Sequence, residues 1–223
     1  LFQVNLFLDG APQIYSQLPG DDQIRQLQAS LASLLSWSKS RRTFSIVQHP
    51  FWEKLARCVP SAKLVYDCMD HHAGFADNVD EVLLAEHRLV AESDLLVVTS
   101  GWLHEELSGK ARNSVIIRNA TEYDHFCNAP DSVFRDPQGR KVIGYYGAIA
   151  EWFDPDLVRA VAIAHPDALV LLIGRDTAGV GEQLADLKNV RMEGEVPYDQ
   201  LPYWLHGFDV CLLPFQVIPL TLA

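Results

Sequence analysis

The chain has 223 residues, 48% hydrophobic and 21% charged, with a formal net charge of −11, the balance of a soluble globular protein of one large domain or two small ones. The charge divides into −5 over residues 1–126 (11 basic, 16 acidic) and −6 over residues 127–223 (7 basic, 13 acidic). No basic patch dominates, which argues against nucleic acid as the main partner but leaves room for a nucleotide, which needs only a few donors.

Strand-like runs, short, continuous and rich in Val, Leu and Ile, fall at residues 2–8, 43–48, 63–66, 95–99 and 115–118, and a second series at 141–146, 168–173, 190–193 and 209–213. Runs of this kind suit strands buried on both faces of a parallel sheet. Helical patterns alternate with them at 22–37, 81–92, 101–107, 155–164, 181–187 and 199–205. In the second of these Val82, Ala85, Leu89 and Val90 share one side, and Glu86 falls within it, so a buried Glu86 needs a partner. The alternation implies βαβ units and an α/β architecture. Residues 127–140 carry Pro130, Pro137 and Gly139 and read as a linker between an N-terminal domain over 1–126 and a C-terminal domain over 141–223. Leu1 enters directly into strand-like sequence and Ala223 follows soon after the last apolar run, so both domains are expected to be incomplete in this chain.

No apolar run approaches the roughly 20 residues of a membrane span, and the opening LFQVNLFL has no basic flank, which argues against a signal peptide. The four cysteines, Cys58, Cys68, Cys127 and Cys211, form no CxxC pair and are expected as buried free thiols in a reducing cytosol.

In open α/β sheets ligands bind beyond the carboxyl ends of the strands. His49, the stretch from Asp67 to His72, Ser100, Asn119, Gly147, Gly174, Arg175 and Pro214 all fall at such ends. The densest signal is VIGYYGAIAEWFDPD, residues 142–156: an apolar run closes on Gly147, and Asp154-Pro155 opens a helix with an N-cap acid and a proline at its first position. Strand, glycine turn and helix N-terminus together suit a phosphate. Helix capping accounts for Asp154-Pro155-Asp156 better than a metal motif does. The Asp67, Asp70, His71, His72 group lacks a partner at zinc spacing, so no metal is expected.

The ordered set LVYDCMDHHAGF, ESDLLVVTSGWL, IIRNATEYDHF, KVIGYYGAIAEWFD, ALVLLIG and NVRMEGEVPYDQLPYWLHGFDVCLLPF resembles the GT-B-fold group 1 glycosyltransferases, particularly bacterial members of cell-surface polysaccharide and teichuronic-acid-type assembly. The resemblance implies two facing Rossmann-like domains with parallel sheets, the first receiving the acceptor and the second holding a nucleotide-diphosphate sugar as donor substrate, with no further cofactor. Transfer of the sugar with retention, to a carbohydrate or lipid-linked acceptor, is the implied activity. The implied location is the cytoplasm, with peripheral contact at the inner membrane face left open.

By the same resemblance Asp70, His71 and His72 stand near the transferred sugar and the acceptor, where an acid or imidazole would bond a hydroxyl or assist a proton. The donor contacts fall on Gly147, Ala148, Ile149, Trp152, Gly174, Arg175, Pro197 and Tyr198. Many relatives carry an Arg and a Lys in the loop where this chain has Ala148-Ile149-Ala150-Glu151-Trp152. The cation must then come from elsewhere; Arg175 is the candidate, its alternative being a solvated loop arginine. A surface histidine pair and a domain-packing aromatic are the plain alternatives for His71-His72 and Tyr198. The segment in which the family carries its paired glutamates lies beyond Ala223. Two other functions stay open: a GT-B nucleotide-sugar epimerase, and a non-catalytic nucleotide- or sugar-binding module.

Overall fold

The computed structural model describes all residues except 1, 2, 7, 11–13, 15, 61, 62 and 76. The chain divides into two compact units, one reaching to Asn119 and including Leu222–Ala223, the other spanning Ala120–Thr221. Each carries a four-stranded, all-parallel sheet, as the buried apolar runs predict.

In the first unit, helix α1 (Asp21–Ser38) precedes strand β1 (Phe44–Val47), helix α2 (Glu53–Ala56), β2 (Lys63–Cys68), α3 (Asp80–Glu92), β3 (Leu95–Val98), α4 (Gly101–Leu107) and β4 (Ser114–Ile116). The strands lie in sequence order, β1-β2-β3-β4. One face of the sheet is a core in which Tyr66, Cys68, Leu96 and Val98 pack with Leu89 and Val90 of α3 and Leu103 of α4. Glu86 is buried there and meets the partners its position requires: the Tyr66 hydroxyl donates to its carboxylate at 3.0 Å and the Cys68 thiol at 3.7 Å. Of the strand expected at 2–8, residues 2 and 7 lie outside the described residues, and 3–6 and 8 form no regular element.

The second unit runs α5 (Tyr123–Phe126), β5 (Val142–Tyr146), α6 (Pro155–Ala164), β6 (Leu169–Ile173), α7 (Val180–Gln183), β7 (Val190–Gly194), α8 (Leu201–Leu205) and β8 (Val210–Cys211). Strand order is β7-β6-β5-β8, so the order reverses between β5 and β8, the kind of switch point beside which α/β sheets bind ligands. Alternate residues serve opposite cores: Ile143, Tyr145, Val170 and Leu172 pack with Val158 of α6, while Val142, Leu169, Leu171 and Ile173 pack with Phe134 and Trp204. Cover on both faces explains why these strands are apolar throughout. Asp154 caps α6 as expected, its side chain accepting from Leu157 N at 2.9 Å, with Pro155 at the first helical position.

Four features depart from the sequence reading. The helix expected at 181–187 is four residues long and starts at Val180, where Asp176 accepts from the amides of Ala178, Val180 and Gly181 at 3.1, 3.1 and 2.8 Å. The cysteines are all free, but only Cys68 is buried, and Cys127 and Cys211 are exposed; Cys211 lies in β8, a two-residue strand at the sheet's edge. Segment 127–140 is not one uniform connector. Phe134 is 5% exposed in the second unit's core, its amide donates to Tyr203 O at 2.9 Å, and Asp136 is clasped by Arg140. Residues 120–126, expected with the N-terminal domain, group with the second unit.

Candidate functional site

The carboxyl ends of β5, β6 and β7 enclose a cavity of about 210 Å³ lined by Tyr146, Gly147, Ala148, Ile173, Gly174, Arg175, Glu195, Val196 and Leu201. Four of the expected donor residues, Gly147, Ala148, Gly174 and Arg175, therefore meet in one place. The two glycines are there for a steric reason. Both have positive φ, 147° and 145°, and a Cβ on Gly174 would sit 1.8 Å from the Gly147 carbonyl oxygen. A side chain at either position would part the two strand ends.

The backbone amides of the loop are less available than the sequence suggests. Gly147 N donates to Ile173 O and Ile149 N to Arg175 O, both at 2.9 Å. Among the described residues, the amide of Ala148 is the one between them left without an acceptor. The α6 N-terminus is no cavity wall, and its Leu157 amide is taken by the Asp154 side chain. The Arg175 guanidinium is exposed and forms no hydrogen bond or ion pair among the described residues. Its neighbour Asp176 cannot neutralise it, because that carboxylate is turned to the start of α7. Partial burial opposes ionisation of Asp176, but the amides of Gly181, Val180 and Ala178 outweigh it and hold its pKa below the usual range. The cavity lining thus brings Arg175, which forms no ion pair among the described residues, together with two glycines and one acidic residue, Glu195.

The remaining donor candidates lie outside the cavity lining. Ile149 is fully buried in the core, so only its backbone takes part in the loop. Trp152 is half-buried, its carbonyl accepting from Gln216 N at 2.9 Å. Pro197 precedes the turn Tyr198–Gln200. Tyr198 belongs to an aromatic group on the same unit: its ring stacks on His125 at 4.7 Å and its hydroxyl donates to Glu122 at 2.7 Å. Phe126 connects that group to Tyr146 of the cavity wall, with ring centroids 6.5 Å apart. Sequence reasoning missed Tyr146, Ile173, Glu195, Val196 and Leu201. The first two are the last residues of their strands, and the rule that ligands gather at carboxyl ends would have found them.

In the first unit, Asp70, His71 and His72 do share the carboxyl end of β2, but the two histidines diverge. His72 is 3% exposed, edge-on to His49 with ring centroids 5.0 Å apart. Burial first, then the neighbouring His49 and His71, bring its pKa down to about 4. It is a neutral, enclosed ring, which does not suit the direct substrate contact expected of it. His71 packs edge-on to Trp102 at 4.8 Å, its Nδ1 buried with no hydrogen-bond partner among the described residues. Burial lowers its pKa and Glu106 works against that. Asp70 is exposed as a residue, yet its carboxyl is sheltered enough that desolvation raises its pKa. Nearby, Gln48 Nε2 donates to Asp67 at 3.0 Å. No group of three or more His, Cys, Asp or Glu side chains is arranged to hold a metal among the described residues. No helix among them is long and apolar enough to cross a membrane.

Two parallel α/β units, the second with its strand order reversing beside the cavity, define the GT-B fold class. Comparison with known proteins agrees. Over 180 residues the chain is 26% identical to the Bacillus subtilis (strain 168) protein named "Putative teichuronic acid biosynthesis glycosyltransferase TuaH", a match covering 72% of this chain and 45% of that protein. The crystal structure of Anabaena Alr3699/HepE in complex with UDP and glucose aligns with a TM-score of 0.58 at 16% identity, over 88% of this chain and 58% of that one. The GtfA/B complex bound to UDP and GlcNAc aligns over 82% of this chain and 40% of its own with a TM-score of 0.41 at 8% identity, too distant to bear on the argument. No protein-family model matches. The chain spans a little under half the length of the curated relative.

Proposed function

We propose that the protein is a glycosyltransferase that moves a sugar from a nucleoside-diphosphate donor to a carbohydrate or lipid-linked acceptor in cell-surface polysaccharide assembly, with retention at the anomeric carbon. The observation that carries this reading is the cavity at the carboxyl ends of β5–β7, where Gly147 and Gly174 keep the strand ends together and Arg175 forms no ion pair among the described residues. Similarity to TuaH supplies the reaction class. In this reading Arg175 and the Ala148 amide face the diphosphate, and the rate comes from positioning and from stabilising the leaving diphosphate. Asp70 and His71 are the acceptor-side groups, with His72 and His49 packed behind them. The enzyme works in the cytoplasm, in peripheral contact with the inner membrane face.

Titration calorimetry with nucleoside diphosphates and their parent nucleosides tests the donor site, and UDP, the nucleotide in the HepE complex, comes first. Diphosphates should bind more tightly than nucleosides, and Arg175→Ala should remove most of the difference. Equal binding of nucleoside and diphosphate would overturn the assignment. Product analysis with donor sugars then separates transfer from epimerisation and from binding without turnover.

A further inference from the structure

We propose that Tyr145 is a positioning residue for donor binding: its hydroxyl holds the peptide on which both the Ala148 amide and the Arg175 backbone depend. The proposal rests on the donor reading above for what the cavity binds, and on the hydrogen bonds of one loop for how the cavity is held. Tyr145 is the fourth residue of β5 and is 4% exposed. Its ring lies edge-on to Phe153 and Phe215, with centroids 5.1 and 6.1 Å away. The other strand residues of that core, Ile143, Val170 and Leu172, are all hydrocarbon, so packing alone would be served by phenylalanine. What tyrosine adds is a hydroxyl, and a hydroxyl in a core needs a partner. It donates to the Ala148 carbonyl at 2.7 Å. Burial pushes the phenol pKa up to about 12, so it remains a neutral donor at any working pH.

That one bond completes a clamp. The peptide between Ala148 and Ile149 is held at both ends, its carbonyl by Tyr145 and its N–H by Arg175 O at 2.9 Å. The Thr177 amide returns to Ile149 O at 2.9 Å, which docks residues 175–177 along the loop as a parallel bridge of Ile149 with Asp176. On the other side, the Gly147 amide is fixed by Ile173 O at 2.9 Å. The peptide between Gly147 and Ala148 therefore sits between two fixed neighbours. Its carbonyl abuts Gly174, and its N–H, that of Ala148, has no acceptor among the described residues. A donor held in this way owes little ordering entropy when an anion arrives. Ala148 itself is exposed, so without the Tyr145 hydroxyl water can take its carbonyl and the loop loses its tie to the core. The turn over that hydroxyl also needs Gly147, where a Cβ would lie 2.6 Å from the phenol oxygen.

Calorimetry with UDP and uridine on wild type, Tyr145→Phe, Arg175→Ala and the double variant tests the proposal. Tyr145→Phe keeps the ring and removes only the hydroxyl. It should weaken UDP binding roughly fivefold, the scale of one hydrogen bond, and leave uridine binding within about twofold. Arg175→Ala should cost less in the Tyr145→Phe protein than in wild type, because the Arg175 backbone hangs on the same peptide. Amide NMR on wild type gives a second reading that needs no variant: the Ala148 amide proton should move downfield with UDP and stay in place with uridine. An Ala148 resonance indifferent to UDP would overturn the proposal. So would equal losses for UDP and uridine in Tyr145→Phe, which would make the hydroxyl a support of the fold alone, or strictly additive effects of the two substitutions. A wild type that prefers UDP while Tyr145→Phe keeps the whole preference overturns the positioning role and leaves the donor reading standing. A wild type that binds UDP no better than uridine overturns the donor reading and the positioning role with it.

Discussion

Gly174 and Gly147 approach so closely that the Cβ of any other residue at Gly174 would lie 1.8 Å from the Gly147 carbonyl oxygen. The contact joins the carboxyl ends of β5 and β6 and forms part of the cavity wall. Gly174→Ala should therefore cost at least about 2 kcal/mol of stability, through backbone displacement and a positive φ that side chains rarely adopt. Chemical denaturation measures it. At Gly147, with φ 147°, a Cβ would lie 2.6 Å from the Tyr145 hydroxyl, so Gly147→Val is expected to disturb the fold as well as the cavity. Neither glycine offers a clean test of phosphate approach; wild-type stability in Gly174→Ala would show that the strand ends separate without cost.

Arg175 offers the cleaner test. Its side chain is exposed and forms no hydrogen bond or ion pair among the described residues, so Arg175→Ala should change stability by less than about 0.5 kcal/mol. Nucleoside-diphosphate binding should weaken by about 1.5–3 kcal/mol more than nucleoside binding, because only the diphosphate offers a charged acceptor. Calorimetry of both ligands on both proteins reads the difference. Equal losses would mean that Arg175 shapes the cavity without meeting charge.

What the sequence disclosed depended on how local the cause was. Helices α4 and α6 match their expected bounds, residues 101–107 and 155–164, because Ser100 and Asp154 cap them from the adjacent chain. Strands β5 and β6 were legible because burial on both faces writes an unbroken apolar run. The early start of α7 was not, since it depends on Asp176 turning back onto three amides. Nor was the divergence of His71 and His72, which are adjacent in sequence but separated by packing, one against Trp102 and the other against His49. The cavity was half legible: its glycines and Arg175 stood out as residue types, whereas Tyr146, Val196 and Leu201 are ordinary apolar residues that only the sheet's geometry brings together.

Limited proteolysis should cut within residues 127–132 before residues 133–140. The first stretch is exposed throughout and makes few contacts, the condition protease sites require. The second is held by buried Phe134 and by Asp136, which accepts from the backbone of Gln138 and Arg140 and from the Arg140 side chain. Mass analysis of the earliest fragments decides it. A first cut between Phe134 and Arg140 would mean that this part is not docked on the second unit.

The first unit should lose stability as pH falls from about 6.5 toward 4, and His72 should account for much of the loss. Its folded pKa is about 4 against an ordinary value of 6.5, lowered by burial and then by His49 and His71. Between those values the unfolded chain binds a proton that the folded chain refuses, so stability rises with pH and is fully present above 6.5. A shift of this size corresponds to on the order of 3 kcal/mol as an upper bound. The rings facing His72 are those of His49 and Phe75, and Asn78 Nδ2 donates to its carbonyl at 2.6 Å. The His49 pKa is also lowered by burial, so it titrates in the same direction and leaves a residual slope when His72 is removed. Denaturation of wild type and His72→Phe at a series of pH values between 7 and 5, above the range where most carboxylates protonate, isolates the histidine part. The variant should start less stable and fall more slowly with acid. Parallel pH profiles for the two proteins would mean that His72 accepts its proton in the folded state without strain, and that the enclosed His49–His72 pair opens to water more readily than its burial implies.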